Sequence, residues 1–403
     1  MKKERSFPYV KVTKKQEARI KDGHLWVYGE EITEASETIE NGAVTDVFGT
    51  KGNYLGSGFW SEHSLIRVRI LSDNANEAFD DAYFQRKVSH ALQYRRDVMG
   101  EDYTACRLIH GDADGLPGLT VDRYNDLLST EITSYGTEMR KDVIFRAIID
   151  ELKKDGVTVR GIYERNESPL RSKEGLERYK GWYKDIHPEK ADTVICENGI
   201  LYHTDLENGQ KTGFFLDQKY NRLAVRRIAA GKKVLDCCTH IGSFALNAAK
   251  GGAKEVTALD ISAAALANAQ ENARLNGLDV NFIEADVFEA LQQMIASHEK
   301  YDLIILDPPA FTKSRQTSSK ARNGYRRINA MAMRLLPRGG YLASCSCSHF
   351  MPKEEFRKML CDAAKDAGVR IRLIEEKGAA PDHPVLPTVP ETEYLKFFLL
   401  QII

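Results

Sequence analysis

Four aspartates, Asp236, Asp260, Asp286 and Asp307, each close a short apolar run, at spacings of 24, 26 and 21 residues. The runs read Val-Leu-Asp, Ala-Leu-Asp-Ile-Ser, Glu-Ala-Asp-Val-Phe and Ile-Leu-Asp-Pro-Pro-Ala-Phe. Such spacing suits repeated strand, helix, strand units, which bring the carboxyl ends of parallel strands to one rim. Ligands of open α/β sheets bind beyond that rim. The turn after the first run, Thr239-His240-Ile241-Gly242-Ser243, holds a single glycine. Dinucleotide folds carry Gly-x-Gly-x-x-Gly there, to admit a pyrophosphate. A cofactor without phosphates, whose amino group meets a carboxylate, fits the single-glycine pattern better, and S-adenosylmethionine is such a molecule.

On this reading Asp236 accepts the amino group and Gly242 makes the turn. Asp260, with Ile261 beside it, takes both ribose hydroxyls, and Asp286 accepts the adenine amine with Val287 and Phe288 beside the ring. For Asp236 and Asp260 a helix N-cap is the plainer alternative, with Ser262 competing for the second cap. The prolines of Asp307-Pro308-Pro309-Ala310-Phe311 cannot extend a ladder and fix a rigid loop, which turns Asp307 toward the transferred methyl. Phe311 offers a stacking face to an extruded nucleobase. Six basic residues and no acid lie between Phe311 and Arg327, among them Lys313, Arg315, Arg326 and Arg327. At the mouth of a site they would meet phosphates; as a solvated loop they would meet only water.

Ser344-Cys345-Ser346-Cys347-Ser348 closes another apolar run and would set two thiols near the same edge. Cytosine C5 is a poor nucleophile until a thiolate adds at C6 and makes an enamine. A thiol poised for that step needs positive charge or donors nearby. Packing of two small residues at a strand end is the other reading. Cys237, Cys238, Cys345 and Cys347 lack the Cys-x-x-Cys spacing of zinc sites, and no metal is expected. Gly209 to Gln218 reads either as a loop over the site, with Lys211 supplying charge, or as a turn into a helix starting at Asp217.

The elements that must position these residues follow from length and pattern. At 403 residues the chain exceeds one ordinary core. Residues 9–75 alternate in short runs between Gly and Asn turns, a β-rich domain that ends at the polar break Asp73-Asn74-Ala75-Asn76. Residues 76–190 read as α+β, with a helix over 78–99, another near 138–154, and strands near 119–123 and 161–164. Residues 191–403 open on a hairpin, 193–197 and 200–204, joined by Asn198-Gly199, and continue as α/β to a last strand over 394–403. The net charge of −1 gives no global field to attract a polyanion, so any such partner depends on local clusters. No apolar run reaches membrane-spanning length, and seven scattered cysteines suit reduced thiols in a cytoplasm.

The chain resembles, over almost its whole length, the large-subunit ribosomal RNA methyltransferases of the RlmI type. The resemblance rests on His24-Leu25-Trp26-Val27-Tyr28, Leu65 to Arg69, the run Arg107 to Leu119, Ile162-Tyr163-Glu164-Arg165, Gly209 to Gln218, Asp307-Pro308-Pro309, Ser346-Cys347-Ser348 and Asp382-His383-Pro384-Val385. It implies an N-terminal PUA module, a small β-barrel associated with RNA. A central α+β domain and a Rossmann-like class I methyltransferase domain with a mostly parallel sheet would follow. It further implies a cytoplasmic enzyme that uses S-adenosylmethionine to methylate cytosine C5 in 23S rRNA, or in a precursor of the large subunit, with Cys347 as nucleophile. A membrane is not among the partners, and a homodimer is allowed. Two positions depart from that type: Ala310 stands where lysine is usual, and Ile241-Gly242-Ser243 where Thr-Gly-Gly is usual. The first leaves guanine N7 open as a target that needs no thiol. A non-catalytic RNA-binding protein, and a methyltransferase for a protein or small molecule, remain as rival classes.

Overall fold

The computed structural model describes residues 6–184, 187–209, 212–311 and 318–403. The chain divides into two compact units, residues 1–195, 204–214 and 381–392 in one, and 196–203, 215–380 and 393–403 in the other.

In the first unit a six-stranded sheet runs in the order Trp26–Tyr28, Ile66–Ser72, Tyr54–Trp60, Val44–Phe48, Tyr9–Val12, Ile32–Ala35. Val10, Val12, Val27, Val47, Leu55, Val68 and Ile70 form its core. Gly58 lies at a register shift where a Cβ would fall 2.1 Å from the Arg69 carbonyl oxygen, so only glycine lets the two strands close there. A five-stranded sheet follows, in the order Tyr179–Trp182, Gly161–Asn166, Leu127–Ile132, Leu119–Tyr124, Ala105–His110, with helices Asp81–Met99 and Lys141–Lys154. Arg107 donates from its backbone to Asp382 Oδ2 at 2.8 Å, and its guanidinium grips both oxygens of Asp122 at 2.8 Å. The Asp382-His383 motif therefore has a structural task within this unit, since a buried carboxylate without donors would be costly.

The second unit holds a seven-stranded sheet, β1 (Lys233–Cys237), β2 (Glu255–Asp260), β3 (Asn281–Glu284), β4 (Leu303–Leu306), β5 (Tyr341–Ser346), β6 (Ile371–Lys377) and β7 (Lys396–Ile402). Its spatial order is β3-β2-β1-β4-β5-β7-β6, parallel except for β7, which pairs antiparallel with both neighbours. Helices α1 (Lys219–Ile228), α2 (Ser243–Lys250), α3 (Ala263–Leu275), α4 (Val287–Ala296), α5 (Ser318–Leu335) and α6 (Lys353–Ala367) connect or flank the strands. β4 is buried at all four positions, as a parallel strand covered on both faces requires. Apolar clusters occur on each side, one around Leu291, Ile304, Tyr325 and Phe356, the other around Val225, Phe244, Ile305 and Phe397. The strand order reverses between β1 and β4, and that switch point is where such folds open a ligand crevice.

The hairpin joins Asp192–Glu197 to Ile200–Asp205 through Asn198 and Gly199, both with φ positive (54° and 69°), as a two-residue turn of matching twist demands. The expected helix start at Asp217 is instead a 3-10 turn, Leu216–Gln218, and the α-helix begins at Lys219. Arg222 on α1 explains part of that entry. Its guanidinium is fully buried, reaches both oxygens of Glu197 at 2.7 and 2.9 Å, and donates to the Phe215 carbonyl at 2.7 Å.

Candidate active site

Asp236, the last residue but one of β1, lies next to the switch point and is fully buried. Its Oδ2 accepts from Thr239 Oγ1 at 2.5 Å and from the Ala245 backbone N–H at 2.9 Å. The second bond satisfies an amide in the first turn of α2 that its own N-cap, Gly242, cannot reach for want of a side chain. Asp236 is thus not the N-cap, although it does part of a cap's work from the strand. Its Oδ1 is buried and has no partner among the described residues. Burial, with Asp307 and Asp260 adding negative charge, pushes its carboxyl up to about 7 despite the Thr239 and Ala245 bonds.

The turn after β1 is tightly wound. Cys238, His240 and Gly242 all have positive φ, at 61°, 53° and 82°. A Cβ on Gly242 would stand 3.1 Å from that of Ala269 on α3. Asp260, at the end of β2, ties this turn down: its Oδ2 accepts from the His240 N–H at 2.8 Å and its Oδ1 from the Ser262 N–H at 3.0 Å. Ser262, and not Asp260, caps α3 by accepting from Ala265 N at 3.2 Å. Ile261 beside it is 69% exposed. Asp286 caps α4 through Oδ1, which accepts from Phe288 N at 2.8 Å and Glu289 N at 3.1 Å.

Asp307 follows β4 and its backbone N–H reaches the Cys237 carbonyl at 3.5 Å, so the ends of β1 and β4 meet. Its Oδ2 accepts from Gln218 Nε2 at 3.0 Å. Pro308 is buried and Pro309 exposed. Phe311 is half-buried, with its ring 4.6 Å from that of Tyr325 and 6.2 Å from that of Phe288. Cys345, inside β5, is fully buried and its thiol is pushed far up by that burial. Cys347, one residue past β5, is half-buried. The β4–β5 register sets Leu306 opposite Ser344, which brings the loop after β4 and the Ser346-Cys347-Ser348 segment to one edge.

Four of the expected cofactor residues, Asp236, Gly242, Asp260 and Asp286, therefore lie at the carboxyl ends of three adjacent strands, with Asp307 and Cys347 at the ends of the next two. The basic run divides differently. Lys313 and Arg315, like Lys211, lie outside the described residues. Arg322 and Arg326, one turn apart on α5, face Asp362 and Asp366, one turn apart on α6. Arg322 reaches Asp362 at 2.6 Å, and Arg326 holds both oxygens of Asp366 at 2.6 Å. Helix packing thus commits Arg326 to an ion pair. Arg327 is exposed, with its guanidinium 5.1 Å from the Phe288 ring centroid. It lines an open depression with Arg326, Arg334 and Gln292. No group of His, Cys, Asp and Glu among the described residues is set to hold a metal.

Three residues that sequence reasoning passed over touch these segments: Thr239 on Asp236, Tyr325 on Phe311 and Lys396 on Ser348. Thr239 and Tyr325 look like ordinary turn and helix residues. Lys396 carried a signal, a single charge inside the apolar run Tyr-Leu-Lys-Phe-Phe-Leu-Leu.

The fold is that of an open α/β sheet with a rim of carboxylates, and at that rim Asp236 Oδ1 is a buried acceptor that an ammonium would satisfy. The profile of the S-adenosylmethionine-dependent methyltransferase family matches residues 181–400, and that of the PUA-like domain residues 10–73. The chain belongs to this methyltransferase family and uses S-adenosylmethionine. It is 37% identical over 400 residues to a protein of Klebsiella pneumoniae named ribosomal RNA large subunit methyltransferase I, covering 98% of each chain. It is 38% identical to the protein of that name from Shewanella denitrificans, over 98% of this chain and 99% of the relative. Among solved structures, a candidate SAM-dependent methyltransferase from Streptococcus mutans shares the fold, with a TM-score of 0.81 at 22% identity, over 98% of this chain and 99% of that one.

Proposed function

We propose that the protein transfers a methyl group to a base of 23S rRNA, with cytosine C5 as the target and Cys347 as nucleophile. The observation that carries this reading is the placement of Cys347, half-buried at the end of β5, beside the Asp-Pro-Pro loop at the end of β4. Relatives covering nearly the whole chain carry the name of a ribosomal RNA large subunit methyltransferase, which supports the substrate class.

S-adenosylmethionine supplies an electrophilic methyl on a sulfonium and leaves as a neutral thioether. Asp236 would hold its ammonium, Asp260 its ribose hydroxyls, and Asp286, through the oxygen not used in capping, its adenine amine, with Ile261 and Val287 against the ring. Pro308, Pro309 and Phe311 shape the pocket for an everted base, and Lys313, Arg315 and Arg327 meet the phosphates around it. The Cys347 thiolate forms a bond to C6, and the displaced C5–C6 π pair makes C5 the nucleophile that takes the methyl. Loss of the C5 proton to a base restores the double bond and expels the thiolate. The division into domains at 75 and 190 and a cytoplasmic site of action belong to the same proposal.

Guanine N7 is the second reading, favoured by Ala310 in the loop that meets the base. It needs no thiol, so the two separate cleanly. With Cys347→Ala, loss of methyl transfer to 23S rRNA alongside unchanged S-adenosylhomocysteine binding by calorimetry is expected. Full turnover by that variant would exclude the covalent route. Mass mapping of 23S rRNA from cells lacking the protein would then identify the nucleotide.

A further inference from the structure

Lys396 opens β7 and is 3% exposed, a buried lysine in a strand whose neighbouring residues Leu395, Phe397 and Phe398 are buried and apolar. The antiparallel register places it directly opposite Ser346, the residue before Cys347. Its ammonium donates to the Ser348 carbonyl at 2.5 Å and to the Tyr394 carbonyl at 2.7 Å. Two carbonyls accept hydrogen bonds but carry no charge to neutralise the cation. Buried ammonium groups are expensive unless a counter-charge accompanies them.

We propose that the Lys396 ammonium is the fixed positive charge that favours the thiolate of Cys347 and aims the Ser346-Cys347-Ser348 segment at the base. The inference rests on Cys347 being the reacting thiol, and it makes Lys396 a positioning residue, acting through that sulfur. Clamping the carbonyl of Ser348 fixes the backbone on the far side of Cys347, while the opposite strand fixes Ser346. Burial draws the Lys396 ammonium down to about 8, and the nearby Cys347 and Glu393 oppose that fall. The coupling is mutual, because a thiolate that stabilises an ammonium is stabilised by it to the same degree. Beyond Cys347 and Glu393, Asp217 and His349 reach this corner through Tyr394, whose hydroxyl donates to Asp217 Oδ2 at 2.6 Å and whose ring lies 5.5 Å from that of His349. Cys347 also faces the Tyr325 hydroxyl, the Cys345 thiol and the Asp307 carboxylate, whose negative charge opposes a thiolate that Lys396 favours.

Alkylation by iodoacetamide, which reads thiolate, tests the pairing on the full chain without RNA. Peptide mapping separates Cys347 from the exposed Cys196 and Cys361. In the wild type the Cys347 midpoint should fall below the ordinary thiol value of about 8.5. Lys396→Met should raise that midpoint by about one unit, slowing alkylation at pH 7 by about tenfold, and Lys396→Arg should restore most of it. A wild-type midpoint at or above about 8.5 overturns the proposal even if Lys396→Met does not fold. A folded Lys396→Met with an unshifted midpoint overturns it too, and leaves Lys396 a structural clamp. The two readings fail separately: an active Cys347→Ala enzyme removes the covalent step and the catalytic meaning of the pair, whereas an inactive one with an unshifted Lys396→Met midpoint removes only the pairing.

Discussion

Gln218 Nε2 donates to Asp307 Oδ2 across 3.0 Å, tying the 3-10 turn ahead of α1 to the loop that follows β4. Gln218 is itself anchored, since its Oε1 accepts from Asn221 Nδ2 at 2.6 Å, and Asn221 also donates to the Gly378 carbonyl at 3.1 Å. The Asp307 carboxylate, which the proposed function sets beside the transferred methyl, is thereby oriented from a different part of the chain.

Removing that orienting donor should cost activity more than stability. Gln218→Ala is expected to lower the turnover of methyl transfer by about tenfold or more, because a hydrogen bond to a charged acceptor is worth about 1.5–3 kcal/mol. Melting temperature and S-adenosylhomocysteine affinity, measured together, should change little; a collapse of both would make Gln218 a folding residue instead.

Asp236 should give cofactor binding a pH dependence. With its carboxyl near 7 in the free protein, the ammonium finds a charged partner only above that value, so S-adenosylhomocysteine affinity should weaken as pH falls from 8 to 6. Stability runs the other way. A carboxyl whose folded value is raised contributes stability in full below its unfolded value and loses it as pH rises through about 7. The melting temperature gained on adding S-adenosylhomocysteine should therefore be larger at pH 8 than at pH 6. Asp236→Asn should flatten this difference and weaken binding by about ten- to a hundredfold.

Gly242 joins positive φ to close packing. Gly242→Ala should destabilise the protein by about 1–3 kcal/mol, seen as a lower urea midpoint, because a side chain is strained at φ 82° and its Cβ meets that of Ala269. Gly277, with φ 59° and open space around it, makes the control. An equal loss at both positions would mean that crowding plays no part.

Glu197→Ala should be among the most damaging changes outside the rim. It strands the buried Arg222 guanidinium, at a cost of about 3–5 kcal/mol. A double change that also replaces Arg222 by Met should regain much of the lost stability in urea unfolding.

Much of the methyltransferase domain was legible because its chemistry sits at strand ends. Asp236, Asp260 and Asp307 each follow an apolar run that becomes a parallel strand, and the run lengths fix where the rim falls. Pairings between distant segments leave no such mark. Nothing near Arg326 in the sequence announces Asp366, forty residues on, and only the packing of α5 on α6 converts a basic run into ion pairs. Asp286 shows the other limit: the same carboxylate that suits an adenine amine is also a good N-cap, and one oxygen takes the helix. Lys396 was visible as a charge in an apolar strand and Cys347 as a thiol at a strand end, yet only the β5–β7 register, which sets Lys396 opposite Ser346, brings the two segments together.

The second unit is assembled from three separated lengths of chain, 196–203, 215–380 and 393–403. No single scissile bond can therefore release it whole. A fragment begun at residue 215 would carry Arg222 without Glu197, and one stopped at 380 would lack β7 and with it Lys396. Dissection of this enzyme by truncation is expected to yield insoluble pieces, whereas an insertion that leaves all three lengths on one polypeptide keeps its parts together.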